Sequence, residues 1–79
     1  MNISGVIVRA RPEKLAAVRA RLADIAGVEI HAATEDGRLI VTVEEESDRD
    51  LADTVLSLHD VPGVLSASMV YHQYLDESH

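Results

Sequence analysis

The chain has 79 residues, no Cys, an apolar share of 47% and a formal charge of −7. That length holds one hydrophobic core, so a single domain over residues 1–79 is expected, with residues 75–79 as a short tail. The missing Cys excludes disulfide staples, thiolate metal sites and cysteine nucleophiles. The acidic balance and the scarcity of aromatics, just Tyr71 and Tyr74, exclude the basic, stacking surface that nucleic acid needs.

The first apolar run, "NISGVIVRA", has the length and β-branching of a strand, and Arg11 and Pro12 break it. Pro is favoured in the first helical turn, where its missing N–H is not needed. "PEKLAAVRARLADIAG" then places Leu15, Val18, Leu22 and Ile25 at helical spacing, with Ala16, Ala17, Ala20 and Ala23 adding propensity. Gly27 stops this helix in a C-cap position. "VEIHAAT" predicts a second strand with Val28, Ile30 and Ala32 on one face and Glu29, His31 and Ala33 on the other. Asp36-Gly37 signals a tight turn into "LIVTVEE", where Leu39, Val41 and Val43 alternate with Ile40, Thr42 and Glu44. Ser47, with Asp50 three residues on, starts a second helix whose stripe is Leu51, Val55 and Leu58. Pro62-Gly63 ends the connection and Val64 opens the last strand.

The two halves repeat. "IAGV" follows the first helix and "VPGV" the second. A strand–helix–strand unit used twice predicts an α+β, ferredoxin-like βαββαβ fold. Two helices then cover one face of a four-stranded antiparallel sheet, with the first and third strands central. Val6, Val8, Val28, Ile30, Leu39, Val41 and Val43 are expected to face the helices. In the last strand Leu65, Ala67, Met69 and Tyr71 are the expected core set, because hydroxyls are poor partners for helix stripes. The other face is left open. It is expected to carry Ile3, Gly5, Ile7, Arg9, Ile40, Thr42, Val64, Ser66, Ser68, Val70 and His72. A solvated sheet face is normally more polar than this. An apolar patch with Gly5, Ser66 and Ser68 beside it suggests a shallow groove for something convex and apolar. One bulge would invert any of these assignments.

Catalysis finds little support. There is no Gly-rich phosphate loop and no nucleophile elbow. Acylphosphatases share this element order, but they need a phosphate-cradling loop with an Arg and an Asn, and Asn2 is the one Asn here. His31, His59, His72 and His79 form no close ligand pair, so neither metal nor cofactor is expected. The acidic run "VEEESDRDLAD" reads either as a docking site for arginines or as a solvated strand end and helix start favoured by the dipole. Glu44 stands out because alternation sets it on the open face at the rim of the groove. No apolar run approaches the roughly 20 residues that span a bilayer, so membrane insertion is not expected. "MNISGVIVRA" lacks a basic leader, which leaves the cytoplasm as the expected compartment.

The closing "GVLSASMVYHQ", with the preceding "VPGV", resembles the last strand of the NapD family, and this is the most specific piece. "GVIVRARPEKLAAVRARLADIAGVEIHA" is similar to that family's first strand, helix and second strand, and "DGRLIVTVE" to its hairpin and third strand. The resemblance covers nearly the whole chain. It implies a cytoplasmic chaperone, not an enzyme, for maturation of periplasmic nitrate reductase. The implied partner is the twin-arginine signal peptide of the catalytic subunit NapA, held as a helix across the open sheet face until the molybdenum cofactor is inserted. The expected contacts are Ile3, Gly5, Ile7, Ile40, Thr42, Glu44, Ser66, Ser68, Val70 and His72, with Glu44 first and Glu45 or Glu29 next as the rim acids that meet the arginines, and the expected state is a monomer. The element order also suits a stand-alone regulatory domain of the Lrp/AsnC or ACT type, which binds small ligands at an interface between joined sheets.

Overall fold

A computed structural model describes residues 1–74, without the side chain of Tyr74. The expected tail, residues 75–79 with His79, lies outside the described residues. The elements are β1 (Asn2–Ala10), a 3-10 turn (Pro12–Lys14), α1 (Leu15–Ala23), β2 (Val28–Ala33), β3 (Arg38–Glu45), α2 (Asp48–His59) and β4 (Val64–Tyr74). The strands run in the order β2-β3-β1-β4, all antiparallel, so β1 and β3 are central. This is the ferredoxin-like α+β architecture, with both helices on one face of the sheet.

Helix starts and stops follow local chemistry. Pro12 opens the 3-10 turn that leads into α1. The Ser47 hydroxyl accepts a hydrogen bond from the Asp50 backbone N–H at 3.1 Å, which satisfies one of the donors orphaned at the start of α2. α1 ends earlier than its periodicity suggests, at Ala23, with Asp24 as the cap. Gly27 stands three residues further on, at the entry to β2. Gly27 and Gly63 hold equivalent places in the two halves, with φ of 85° and 97°. A side chain resists that left-handed backbone, which only Gly adopts without cost. The following strands start alike, Val28 N–H bonding Ile25 O and Val64 N–H bonding Val61 O. The internal repeat in the sequence is therefore a structural repeat.

The helix side of the sheet carries the core. Val6, Val8, Leu39, Val41 and Val43 are fully buried with Val18 and Leu22 of α1 and Leu58 of α2. Leu15, Ile25, Val28, Ile30 and Val55 pack around them. Straight alternation holds along β1 and β3, whose register is unbroken from Asn2↔Glu45 to Arg9↔Arg38.

It fails on both edge strands, and this corrects several expected faces. In β2 the pairing steps from Ile30↔Val41 to Ala32↔Ile40, leaving His31 as the extra residue. Beyond it Ala33, not Ala32, faces the helices and packs on the core. In β4 two irregularities leave Leu65 and Val70 without a partner on β1. Val64 pairs with Ala10 and packs on the core, whereas Leu65 is 60% exposed. Ala67 and Met69 face the helices as expected, opposite Val8 and Val6. Past Val70 the faces exchange: Tyr71 pairs with Gly5 on the open side, and His72 pairs with Ser4 on the helix side. A bulge puts two residues opposite one, so every later side chain changes face.

Candidate functional site: the open sheet face

The face away from the helices is ordered in rows across the strands. From one end, the first row is Ser66, Arg9 and Arg38. The second is Ser68, Ile7, Ile40 and Ala32. The third is Tyr71, Gly5, Thr42 and Glu29, and the last is Gln73, Ile3 and Glu44. Basic residues thus mark one end, acidic residues the other, and the middle is apolar. Ile3 and Ile7 are half-buried and Ile40 is 47% exposed.

The expected contacts Ile3, Ile7, Ile40, Thr42, Glu44, Ser66 and Ser68 do share this surface. Three others do not stand as expected. Gly5 is on the face but offers no open notch, because the Tyr71 ring fills it. A Cβ built on Gly5 would collide with the Tyr71 ring. Val70 is the extra residue of the bulge, 56% exposed and unpaired on β1. His72 turns to the helix side. Its Nδ1 lies 3.0 Å from the hydroxyl of fully buried Ser4, and its Nε2 lies 3.9 Å from Asp48 at the start of α2. The back of β4 is thereby tied to β1 and α2 at the residue next to Tyr71.

Tyr71 is the surface residue that alternation missed. It lies 49% exposed across the central strand, an apolar ring with a polar tip. Two signals for it were present. A Gly inside a strand often marks close approach by another group. The run Met69-Val70-Tyr71 also has three apolar residues in succession, which strict alternation cannot place.

The polar fittings divide between the faces. His31 Nε2 and Thr42 Oγ1 share a 2.8 Å hydrogen bond, so the bulged histidine steadies the hydroxyl. Glu45, one of the acids expected at the rim, accepts from Thr54 Oγ1 at 2.9 Å and is committed to α2. Glu44 and Glu29 remain as the exposed acids of the open side. Glu44 also borders a hollow of about 180 Å³ shared with Met1, Gly27, Glu45 and Glu46. A larger hollow, about 590 Å³, lies between α1 and β2, lined by Ala16, Arg19, Ala20, Ala23, Val28, Glu29 and Ile30, so that Glu29 on the edge strand borders both this hollow and the open face. Among the described residues no cluster of three or more His, Asp or Glu could hold a metal, and no helix is long and apolar enough to cross a membrane.

A shelf of this kind, apolar in the middle and charged at its ends, is suited to binding an extended object by contact. Comparisons with known proteins agree on one family. The model of the NapD protein family matches residues 1–76. Chaperone NapD of Escherichia coli (strain K12) is 35% identical over 73 residues, covering 91% of this chain and 84% of that protein. Chaperone NapD of Haemophilus influenzae is 32% identical, covering 91% and 78%. The solution structure of the E. coli Tat proofreading chaperone protein NapD superposes with a TM-score of 0.84 at 32% identity, covering 98% of this chain and 82% of that one. These relatives are named for a chaperone role, which is not a catalytic one. The match over nearly the full length sets aside the Lrp/AsnC and ACT alternatives: the chain belongs to the NapD family.

Proposed function

We propose that this chain is a cytoplasmic, monomeric chaperone of a single domain. Its partner is the twin-arginine signal peptide of NapA, the catalytic subunit of periplasmic nitrate reductase. It holds that peptide as a helix on the open sheet face until the molybdenum cofactor is in place, and a peptide so covered is withheld from export. The observation that carries this reading is the apolar strip of the open face, Ile7 and Ile40 in the middle and Ile3 toward one end, bordered by Glu44 and Glu29 in a chain of charge −7.

The energetics assign different tasks to these groups. Full burial of an Ile contributes about 1.5–3 kcal/mol, and these residues are already partly covered, so each has a fraction of that left to give. An exposed ion pair contributes about 0.2–1 kcal/mol. Apolar contact with Ile3, Ile7, Ile40 and the Tyr71 ring therefore supplies most of the affinity. The carboxylates steer the arginines and raise the on-rate. Ser66 and Ser68 keep the β4 side of the surface low, so that a helix can approach. Tyr71 replaces His72 in the binding set, and Gly5 contributes by giving the ring its seat.

Calorimetric titration with a synthetic NapA signal peptide, beside the same peptide with both arginines changed to glutamine, tests the reading. One-to-one saturable binding that weakens in the changed peptide is expected. Absence of binding to either peptide would overturn it.

A further inference from the structure

Arg9 and Arg38 are direct partners across β1 and β3 on the open face. Like charges placed opposite each other in a sheet repel and cost stability. Asp36 relieves this in part. Its carboxylate lies 3.8 Å from the Arg38 guanidinium, and its pKa is lowered, first by a hydrogen bond from Thr34 and further by Arg38 and Arg9. One carboxylate against two guanidinium groups still leaves this end positive. The opposite end carries Glu44 and Glu29. The chain thus keeps an internally unfavourable arginine pair at one end of an apolar strip and two acids at the other.

The spacing matches a helix. Arg38 and Glu44 are the first and last open-face residues of β3, six residues apart, so at about 3.3 Å per residue the strip is roughly 20 Å long. At 1.5 Å per residue an α-helix of about 13 residues spans it. A signal peptide carries its positive charges ahead of an apolar stretch of about 7–15 residues. Its helix also has a positive N-terminal end and a negative C-terminal end. Both asymmetries run in the same direction, and both are opposite to the charge order of the face.

The geometry points to a face that reads the direction of its peptide: the arginine end lies over Glu44 and Glu29, the apolar stretch crosses Ile7 and Ile40, and the C-terminal end of the helix stops at Arg9 and Arg38. This rests on the signal-peptide reading above and adds a polarity to it. Arg9 and Arg38 act twice. They attract the exposed carbonyls of the helix end, and they repel the twin arginines from the wrong end of the strip.

Direction is read by attaching a nitroxide spin label to the peptide, at its N-terminus in one sample and after its apolar stretch in another, with the full chain isotopically labelled. The N-terminal label is expected to broaden the amide signals of Ile3 and Glu44, and the other label those of Arg9, Arg38 and Ser66. The Arg9→Glu, Arg38→Glu double variant changes two exposed side chains. It is expected to lose this preference, each label then broadening both ends. Reversed broadening in the unchanged chain would overturn the polarity and leave the signal-peptide reading standing. A double variant that keeps the original pattern would remove the arginine pair from the account. No saturable binding at all would overturn both.

Discussion

The two faces of this sheet are built from alternate residues of the same strands, and both are apolar at their centres. On one side Val6, Val8, Leu39, Val41 and Val43 are fully buried beneath α1 and α2. On the other, Ile7 is half-buried and Ile40 is 47% exposed. The chemistry of the residues is alike; what differs is the source of the cover. The helix face obtains it from the chain itself, and its apolar contacts become stability. The open face keeps its apolar contacts available, and under the proposed function they become affinity. Stability and binding should therefore respond to substitution separately.

The core is expected to respond most strongly. Leu58→Ala removes a fully buried side chain of α2 and is expected to cost about 2–5 kcal/mol in chemical denaturation. Peptide affinity of the fraction that remains folded is expected to be unchanged. Next comes Gly5→Ala, where the two faces meet through one strand. The new Cβ collides with the Tyr71 ring, and overpacking of this kind costs about 1–3 kcal/mol. Because the clash is with one side chain, adding Tyr71→Ala is expected to recover most of the loss; additive losses in the double-mutant cycle would contradict the seating of the ring. Ser68→Arg alters the open face and leaves the core intact. Ser68 is exposed and opposite Ile7, so stability is expected to stay within about 0.5 kcal/mol. Peptide affinity is expected to fall at least tenfold, about 1.4 kcal/mol. Unchanged affinity in that variant would remove Ser68 from the binding surface.

The smallest effect is electrostatic. Hydrogen bonding from Thr34 is the main cause of the lowered pKa of Asp36, with the nearby guanidinium groups second. A depressed carboxyl pKa contributes stability above its unfolded value, and that contribution is lost as pH falls through the folded value. Thr34→Ala is expected to raise the Asp36 pKa toward its unfolded value, which shrinks this contribution. Side-chain carboxyl titration by NMR checks it, and an unmoved Asp36 would contradict the hydrogen-bond cause.

How much of this was readable in the sequence depends on the strand. β1 and β3 pair on both sides, so their alternation is enforced from two directions. Their expected faces hold at every named position from Ile3 to Arg9 and from Leu39 to Glu44. β2 and β4 are edges, paired on one side only, and an edge tolerates an extra residue more easily. His31, Leu65 and Val70 are those extra residues. Each lies in or beside a run of residues of similar polarity: Val64-Leu65, Met69-Val70-Tyr71 and, next to His31, Ala32-Ala33. The hydrophobic pattern there is compatible with two registers, and the partner strand decides between them. Alternation alone predicts His72 on the open face and Tyr71 in the core, and the extra residue Val70 exchanges them. The helices were legible because Ser47, Pro12 and the two stripes act locally. The charge order along the open face was not, because it exists only after β1 and β3 pair Arg9 with Arg38 and Ile3 with Glu44.

A partner that occupies the open face leaves the helix face, already covered by α1 and α2, undisturbed. The most direct test follows the methyl signals of the isoleucines and valines by NMR while the twin-arginine signal peptide is added. Shifts in Ile3, Ile7 and Ile40, with Val6, Val8 and Val41 unmoved, are the predicted result. Shifts confined to residues around α1 and β2, or among the buried valines alone, would contradict the account.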